Sequence, residues 1–347
     1  MAKPSLDDKI RFLRDGAHLG EPDVTIECIE THFAWVFLSA QYAYKLRKPV
    51  RHRSLDTLSL ESRQARCDEE LRLNQVLAPG VYLDVLPLTL AADGSMRLGA
   101  AVEPRLEPGG APVRVVDWLL RMRRLPAARM FDRMIREGSW QSADLQALST
   151  HLQHFYAQSP VLSMSGHEYR DRLGAGIKNN HEELLAAEPF GVDAERVAHI
   201  AARQQQWIDA HGECLSQRAE RGMIRDCHGD LKPEHVCFGP PVSVIDRLEF
   251  DAELRRLDPI EDLCFLWLEC LRLGAPSAGQ WLVRSYLEAG SEAVPPALAD
   301  FYLSQRALTR AKVAAWRLIA PDADRSRWRE RVAVYLSLAM DAIHRAS

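Results

Sequence analysis

The chain reads as an α+β protein in two lobes: a small antiparallel β-sheet carrying one helix, then a mainly helical region. Three observations lead there. Short β-branched and aromatic runs separated by polar turns crowd the first third of the sequence, whereas helical apolar periodicity dominates from about residue 127 onward. A charged loop, Cys227-His228-Gly229-Asp230-Leu231-Lys232-Pro233-Glu234-His235-Val236-Cys237-Phe238, lies between two short β-branched runs late in the chain. The length of 347 residues, with 47% apolar content, suffices for a sizeable core and roughly two domains. An N-terminal lobe over residues 1–122 and a C-terminal lobe over 123–347 are expected.

The bulk numbers exclude several classes. A net charge of -4 gives no basic field for nucleic acid. Seven cysteines without a C-x-x-C pair suggest reduced thiols, hence a cytoplasmic protein, rather than a disulfide framework. No run approaches the roughly 20 apolar residues of a membrane span, so no membrane partner is expected. Residues 1–9 contain no apolar segment of the signal-peptide kind. The phosphate-loop pattern G-x-x-x-x-G-K-[ST] is missing, and nothing speaks to oligomeric state.

In chain order, residues 5–16 form a lead-in helix and Val24 to Ile29 alternates like a strand. The turn Glu30-Thr31-His32-Phe33-Ala34 leads to a second strand, Trp35 to Leu38, and Ser39-Ala40-Gln41 turns into a third, Tyr42 to Val50. Residues 59–78 form one helix, with Ser59 as N-cap, Glu61 in the first turn and Pro79-Gly80 as the stop. Tyr82 to Thr89 is a strand, Asp93-Gly94-Ser95 a hairpin turn, Met96 to Ala101 the return, and 103–112 a Pro/Gly loop. Val113 to Met122 is a further strand, which Arg123-Arg124-Leu125-Pro126 leaves. Helical patterns follow at 128–137, 142–157, 167–187 and 193–220. After the charged loop, Asp258-Pro259 opens an apolar helix to Leu273, and helices at 276–289, 295–319 and 325–344 finish the chain.

The charged loop carries the chemistry. Arg225 to Cys227 leads in, Val236 to Phe238 leads out, Gly239-Pro240-Pro241 turns, and Val242 to Ile245 ends at Asp246. Two acids, Asp230 and Asp246, thus stand at neighbouring strand ends. Phosphoryl-transfer sites are commonly built so, one Asp taking the hydroxyl proton and the other holding magnesium. A zinc set of His228, Asp230 and His235 is a different reading, but it has no recognised zinc spacing.

His228-Gly229-Asp230 and Ile245-Asp246 resemble, in type and spacing, the catalytic core of the kinase-like phosphotransferases, the superfamily of aminoglycoside and choline kinases. Thr31 to Leu38, Tyr44 to Val50, Glu69 to Asn74, Arg121 to Pro126 and Gln305 to Lys312 resemble, more narrowly, the kinase-like first domain of bacterial proteins known as bifunctional aminoglycoside phosphotransferase/ATP-binding proteins. A P-loop domain often follows there, so a separate P-loop partner is an expectation. The resemblance implies a protein-kinase-like fold, ATP and Mg²⁺ (or Mn²⁺) as cofactors, and transfer of the γ-phosphate to a hydroxyl of a small-molecule acceptor. It implies Asp230 as catalytic base, with His228 beside it bonding the loop backbone, and Asp246 as Mg²⁺ ligand. Lys45, in Ala43-Tyr44-Lys45-Leu46, would hold the phosphates, with Lys48 as the fallback. Glu70 would orient Lys45, with Glu69 in reserve. Backbone near Met122 would meet adenine, and Asp262 would brace the loop.

Two features depart from the family pattern. The turn 30–34 has no glycine, and His235 stands where the family has Asn. Three outcomes stay open for His235: it binds metal itself, Glu234 or Glu249 replaces the missing amide, or the site mainly binds nucleotide. Glu249 and Asp251 follow Asp246 closely enough to assist with metal. Two further functions remain beside the kinase: a catalytically inactive, nucleotide-binding regulatory module, and nucleotidyl transfer from ATP. The acceptor has no fingerprint in the sequence.

Overall fold

The structure is a computed structural model that describes residues 3–52, 55–99, 113–290, 294–320 and 323–347. The expected Pro/Gly loop 103–112, and the last two residues of the return strand expected to reach Ala101, lie outside the described residues. The chain forms two compact units, residues 1–130 with 236–252 and residues 131–235 with 253–347. The units are therefore not the two continuous stretches expected from sequence, because the segment after His235 groups with the first unit.

The first unit is built on a six-stranded sheet. Its strands are β1 Glu27–Glu30, β2 Ala34–Leu38, β3 Tyr42–Arg47, β4 Tyr82–Leu90, β5 Met96–Leu98 and β6 Arg114–Arg123, in the order β1-β2-β3-β6-β4-β5 with every pair antiparallel. The strand period of two sends alternate residues to opposite faces. On one face Phe37, Tyr44, Leu46 and Leu119 join Ile10, Phe12 and Leu13 of helix α1 (Leu6–Leu13) in a buried core. On the other, Leu120, Val85 and Tyr82 join Cys67 of helix α2 (Leu60–Asn74). Helix α2 starts where expected because the Ser59 side chain accepts the Ser62 amide at 3.0 Å. A buried carboxylate ties the two helices to the sheet: Asp117 bonds Lys9 Nζ at 2.6 Å and Arg63 Nε at 2.7 Å.

The second unit is helical. It comprises α3 Phe131–Glu137, α4 Ser142–Gln158, α5 Gly166–Leu185, α6 Ala194–Glu220, α7 Pro259–Leu273, α8 Pro276–Ala289, α9 Pro296–Leu318 and α10 Arg325–Arg345. Helix α7 is buried along most of its length, as its nearly unbroken apolar sequence requires. A short ladder pairs Arg225–Asp226 with Arg256–Leu257 and fixes the entry to the charged loop. All seven cysteines are free thiols, and among the described residues no helix is long and apolar enough to cross a membrane.

Candidate active site

In the first unit, Lys45 sits mid-strand in β3, with Val36 and Leu120 as its neighbours on the flanking strands. Its ammonium bonds Glu70 Oε1 at 2.7 Å and Asp246 Oδ1 at 3.2 Å. Strand alternation puts Arg47 on the same face, where it pairs with the other oxygen of Glu70 and, at 2.7 Å, with Glu249. Two cations thus face three carboxylates, in a setting where the Glu70 side chain is 1% exposed and that of Asp246 43%. Burial disfavours the Lys45 charge, but Asp246 and Glu70 outweigh it and hold the ammonium well above the ordinary lysine range. Burial pushes the Glu70 carboxyl up, and Glu249 and Asp246 add to that push against Lys45 and Arg47.

Local structure explains how Asp246 reaches this cluster. Val236–Cys237 and Ser243–Val244 form a two-stranded hairpin, and the Val244 amide donates to the Leu77 carbonyl at 3.1 Å, just past the end of α2. Beyond it Asp246 turns with φ of +61°, in the left-handed region. Two side chains hold the turn: the Asp246 amide donates to the Tyr82 hydroxyl at 3.0 Å and the Arg247 amide to Asn74 Oδ1 at 2.8 Å. Asn74 also donates to the Glu70 carbonyl at 2.9 Å, so one side chain joins the helix to the turn. Tyr82, Asn74 and Arg47 were not among the sequence candidates. Only the alternation Lys45-x-Arg47 carried a readable signal, since it puts both cations on one face.

The remaining candidates of this unit lie as follows. Glu69 makes a two-bond pair with Arg72, at 2.8 and 2.7 Å, so Lys45 takes Glu70 and not its neighbour. Lys48 bonds Glu30 at 2.5 Å and the Thr31 carbonyl at 2.8 Å, under the glycine-free turn. Met122 lies inside β6 between Ala43 and Tyr82, and it packs on the same cluster as Ile245. The Arg123 and Arg124 amides donate to Val81 and Gln41 carbonyls, so strand pairing continues past Met122.

In the second unit, Asp262 braces the charged loop. Its Oδ2 accepts the His228 amide at 3.0 Å and the Tyr156 hydroxyl at 2.9 Å, and its Oδ1 accepts the Gly229 amide at 3.0 Å. Gly229 turns the loop with φ of +86°, a backbone conformation that side chains rarely adopt. Asp258 caps α7 by accepting the Ile260 amide at 2.9 Å, with Pro259 at the first helical position. Arg218 grips Asp258 with two N–H groups, the longer bond being 3.0 Å.

The Nδ1 atoms of the two loop histidines play opposite hydrogen-bonding roles. His228 is fully buried, and its Nδ1 accepts the Asp230 amide at 3.2 Å, so its neutral ring carries the proton on Nε2. His235 Nδ1 lies 3.0 Å from the Asp230 carbonyl oxygen. A carbonyl only accepts, so that nitrogen carries a proton and donates it. Lys232 bonds the Asp230 carboxylate at 3.0 Å and approaches Glu234 at 3.4 Å. Burial works to raise the Asp230 carboxyl, but Lys232, His235 and Arg310 together hold it below the ordinary aspartate range.

No family model matches the chain. It is 27% identical over 302 residues to uncharacterised proteins of Mycobacterium bovis and Mycobacterium tuberculosis, a match covering 86% of this chain and 56% of theirs. The chain thus spans about half the length of the curated relatives it matches. Among solved structures it resembles the choline kinase from Cryptosporidium parvum, with a TM-score of 0.55 and 11% identity over 93% of this chain and 90% of that one. An aminoglycoside 2′-phosphotransferase in its GDP complex gives 0.54 and 13% over 96% of each chain. A choline/ethanolamine kinase family protein from Mesorhizobium loti gives 0.51 and 15%, over 97% and 98%. With its six-stranded antiparallel sheet and helical second unit, the chain has the α+β, kinase-like fold seen in these choline kinase and aminoglycoside phosphotransferase structures.

Proposed function

We propose that the protein is an ATP-dependent phosphotransferase that moves the γ-phosphate to a hydroxyl of a small molecule. The observation that carries this reading is Lys45, whose ammonium engages a helix glutamate, Glu70, and the Asp246 carboxylate together. Kinase-type sites use such a lysine, oriented by a helix glutamate, to hold nucleotide phosphates. The surplus of one carboxylate over the two cations suits a divalent ion. Asp246 offers a hard, part-exposed carboxylate, which fits magnesium. His235 offers imidazole nitrogen, a poorer ligand for that ion than carboxylate oxygen, and its Nδ1 is engaged with the Asp230 carbonyl. Glu249, a sequence candidate for metal, is salt-bridged to Arg47 and serves the Lys45–Glu70 cluster. Magnesium, when bound, neutralises charge developing on the phosphate oxygens.

The chain's own groups would then divide the work. Lys45 binds phosphate oxygens, Glu70 keeps its ammonium in place, and Asp230 accepts a hydrogen bond from the acceptor hydroxyl and takes its proton. His228 and Asp262 fix the loop on which Asp230 sits. Incubation with ATP labelled on the γ- or the α-phosphate, against a panel of small alcohols, tests the reading. Transfer of γ-label, abolished in Asp230→Asn and Asp246→Ala, is expected. Transfer of α-label means nucleotidyl transfer, and stabilisation by ATP with neither transfer means a nucleotide-binding module.

A further inference from the structure

The second unit contains a cavity of about 350 Å³ that the phosphotransfer reading does not use. Arg218, Arg225, Tyr156 and Tyr286 supply its polar lining, and Ile260 and Leu287 part of its apolar lining. Its volume lies at the small end of ligand pockets, which run from roughly 300 to 1,000 Å³ and join an apolar wall to a few convergent polar groups. The charge is unbalanced. Arg218 is spent on Asp258, whereas the Arg225 guanidinium donates through Nη1 to the Ser159 carbonyl at 2.9 Å, and among the described residues its other N–H groups meet no protein acceptor. Of the two guanidinium groups in the lining, Arg218 has a carboxylate partner, and Arg225 has a carbonyl in its place. Tyr286 lines the same cavity as both arginines, and its hydroxyl has no hydrogen-bond partner among the described residues. A half-buried fork of N–H donors beside a half-buried phenol is suited to a carboxylate.

The wall also touches the loop that carries Asp230. Tyr156 donates its hydroxyl to Asp262 Oδ2 at 2.9 Å, and Asp262 holds the His228 and Gly229 amides, each at 3.0 Å. Arg218 holds Asp258, the cap of α7, and Ile260 lies in the first turn of that helix. We infer that this cavity binds a small organic anion, an aromatic or branched monocarboxylate, and that its occupant steadies the 228–230 loop through Tyr156 and Asp262. The carboxylate would meet Arg225 and the Tyr286 hydroxyl, and the apolar body would lie against Ile260, Leu287 and the Tyr156 ring.

Thermal-shift titration of the full chain tests this with benzoate, phenylacetate and 4-hydroxybenzoate, and with neutral benzamide as control. The anions should raise the midpoint by ~2 °C or more at concentrations well above their dissociation constants. Benzamide should not. The shift should vanish in Arg225→Met and in Leu287→Trp, which fills the cavity, and persist in Asp246→Ala. Hydrogen exchange at the 228–230 amides should slow with benzoate in the native chain. In Tyr156→Phe it should be unresponsive while the midpoint still rises. No shift from any of the three anions, an equal shift from benzamide, or a shift surviving both cavity variants overturns the site. A shift with unchanged exchange at 228–230 overturns the coupling.

Discussion

The amide of Asp246 donates to the Tyr82 hydroxyl at 3.0 Å, and Asp246 is the one non-glycine residue with positive φ among those described. Such a conformation costs on the order of 1 kcal/mol or more and persists only where neighbours impose it. Tyr82 is one neighbour that does so. Burial, with Glu70 and Asp246, holds its phenol well above the ordinary tyrosine range, so the hydroxyl stays protonated and accepts through its lone pairs. Tyr82→Phe should therefore cost about 0.5–1.5 kcal/mol of stability in urea unfolding. If Asp246 binds magnesium, the half-saturating Mg²⁺ concentration for γ-phosphate transfer should rise several-fold. An unchanged Mg²⁺ dependence would separate Tyr82 from the metal role.

Lys45 and Glu70 should respond unequally to substitution. Glu70 is buried and faces both Lys45 and Arg47. Glu70→Gln removes the one carboxylate that both cations share and should cost about 3–5 kcal/mol, as for breaking a buried pair. Lys45→Met leaves Glu70 with Arg47, so its stability loss should be the smaller one, while ATP should no longer raise the melting temperature. Thermal scans of both variants with and without ATP·Mg²⁺ check the order. A Lys45→Met protein still stabilised by ATP to the native extent would sink the phosphate-binding role.

The Asp230 carboxyl predicts a pH dependence with a definite sign. Burial would raise it, but Lys232, His235 and Arg310 hold the folded-state value below the unfolded one. A depressed carboxylate contributes stability that is present above its unfolded value and lost as pH falls through the folded value. Ionised Asp230 thus persists to pH below the ordinary aspartate range, and the acid limb of kcat/KM attributable to it should lie there. Lys232→Met removes the partner 3.0 Å away, so that limb should move to higher pH. A limb that stays in place would show that another group sets it.

The parts of this architecture that follow from periodicity were readable in the sequence. Alternation in Tyr42 to Arg47 and the Ser59 cap placed Lys45 on a strand and Glu70 on the next helix, and burial decided between Glu69 and Glu70 only once the strand was beside them. Distance along the chain hid the rest. Asn74 and Arg247 are bonded partners 173 residues apart, and Lys9 and Asp117 are 108 apart. No local spacing announces such pairs. The roles of Nδ1 in His228 and His235 were equally hidden, because each follows from which backbone group of Asp230 meets the ring. Glu249 looked like a metal acid beside Asp246, and only the fold reveals Arg47 as its partner.

Asp262 offers the sharpest test of how the loop is held. Its two carboxylate oxygens accept three hydrogen bonds: the His228 and Gly229 amides at 3.0 Å each and the Tyr156 hydroxyl at 2.9 Å. All three donors are fixed in place, two by the backbone and one by a buried ring. Asparagine has nearly the same shape but only one accepting oxygen, and its NH₂ would point at a donor. Asp262→Asn therefore strands at least one buried donor, at about 1–3 kcal/mol. Asp262→Ala strands all three and should cost more. Because the lost bonds converge on residues 228 and 229, hydrogen exchange at those amides should speed up in Asp262→Asn before any global loss of structure. On the phosphotransfer reading kcat should fall with KM for ATP nearly unchanged, since Lys45 and Glu70 belong to the other unit. Equal changes in kcat and in the ATP KM would mean that Asp262 acts on the whole chain rather than on the loop.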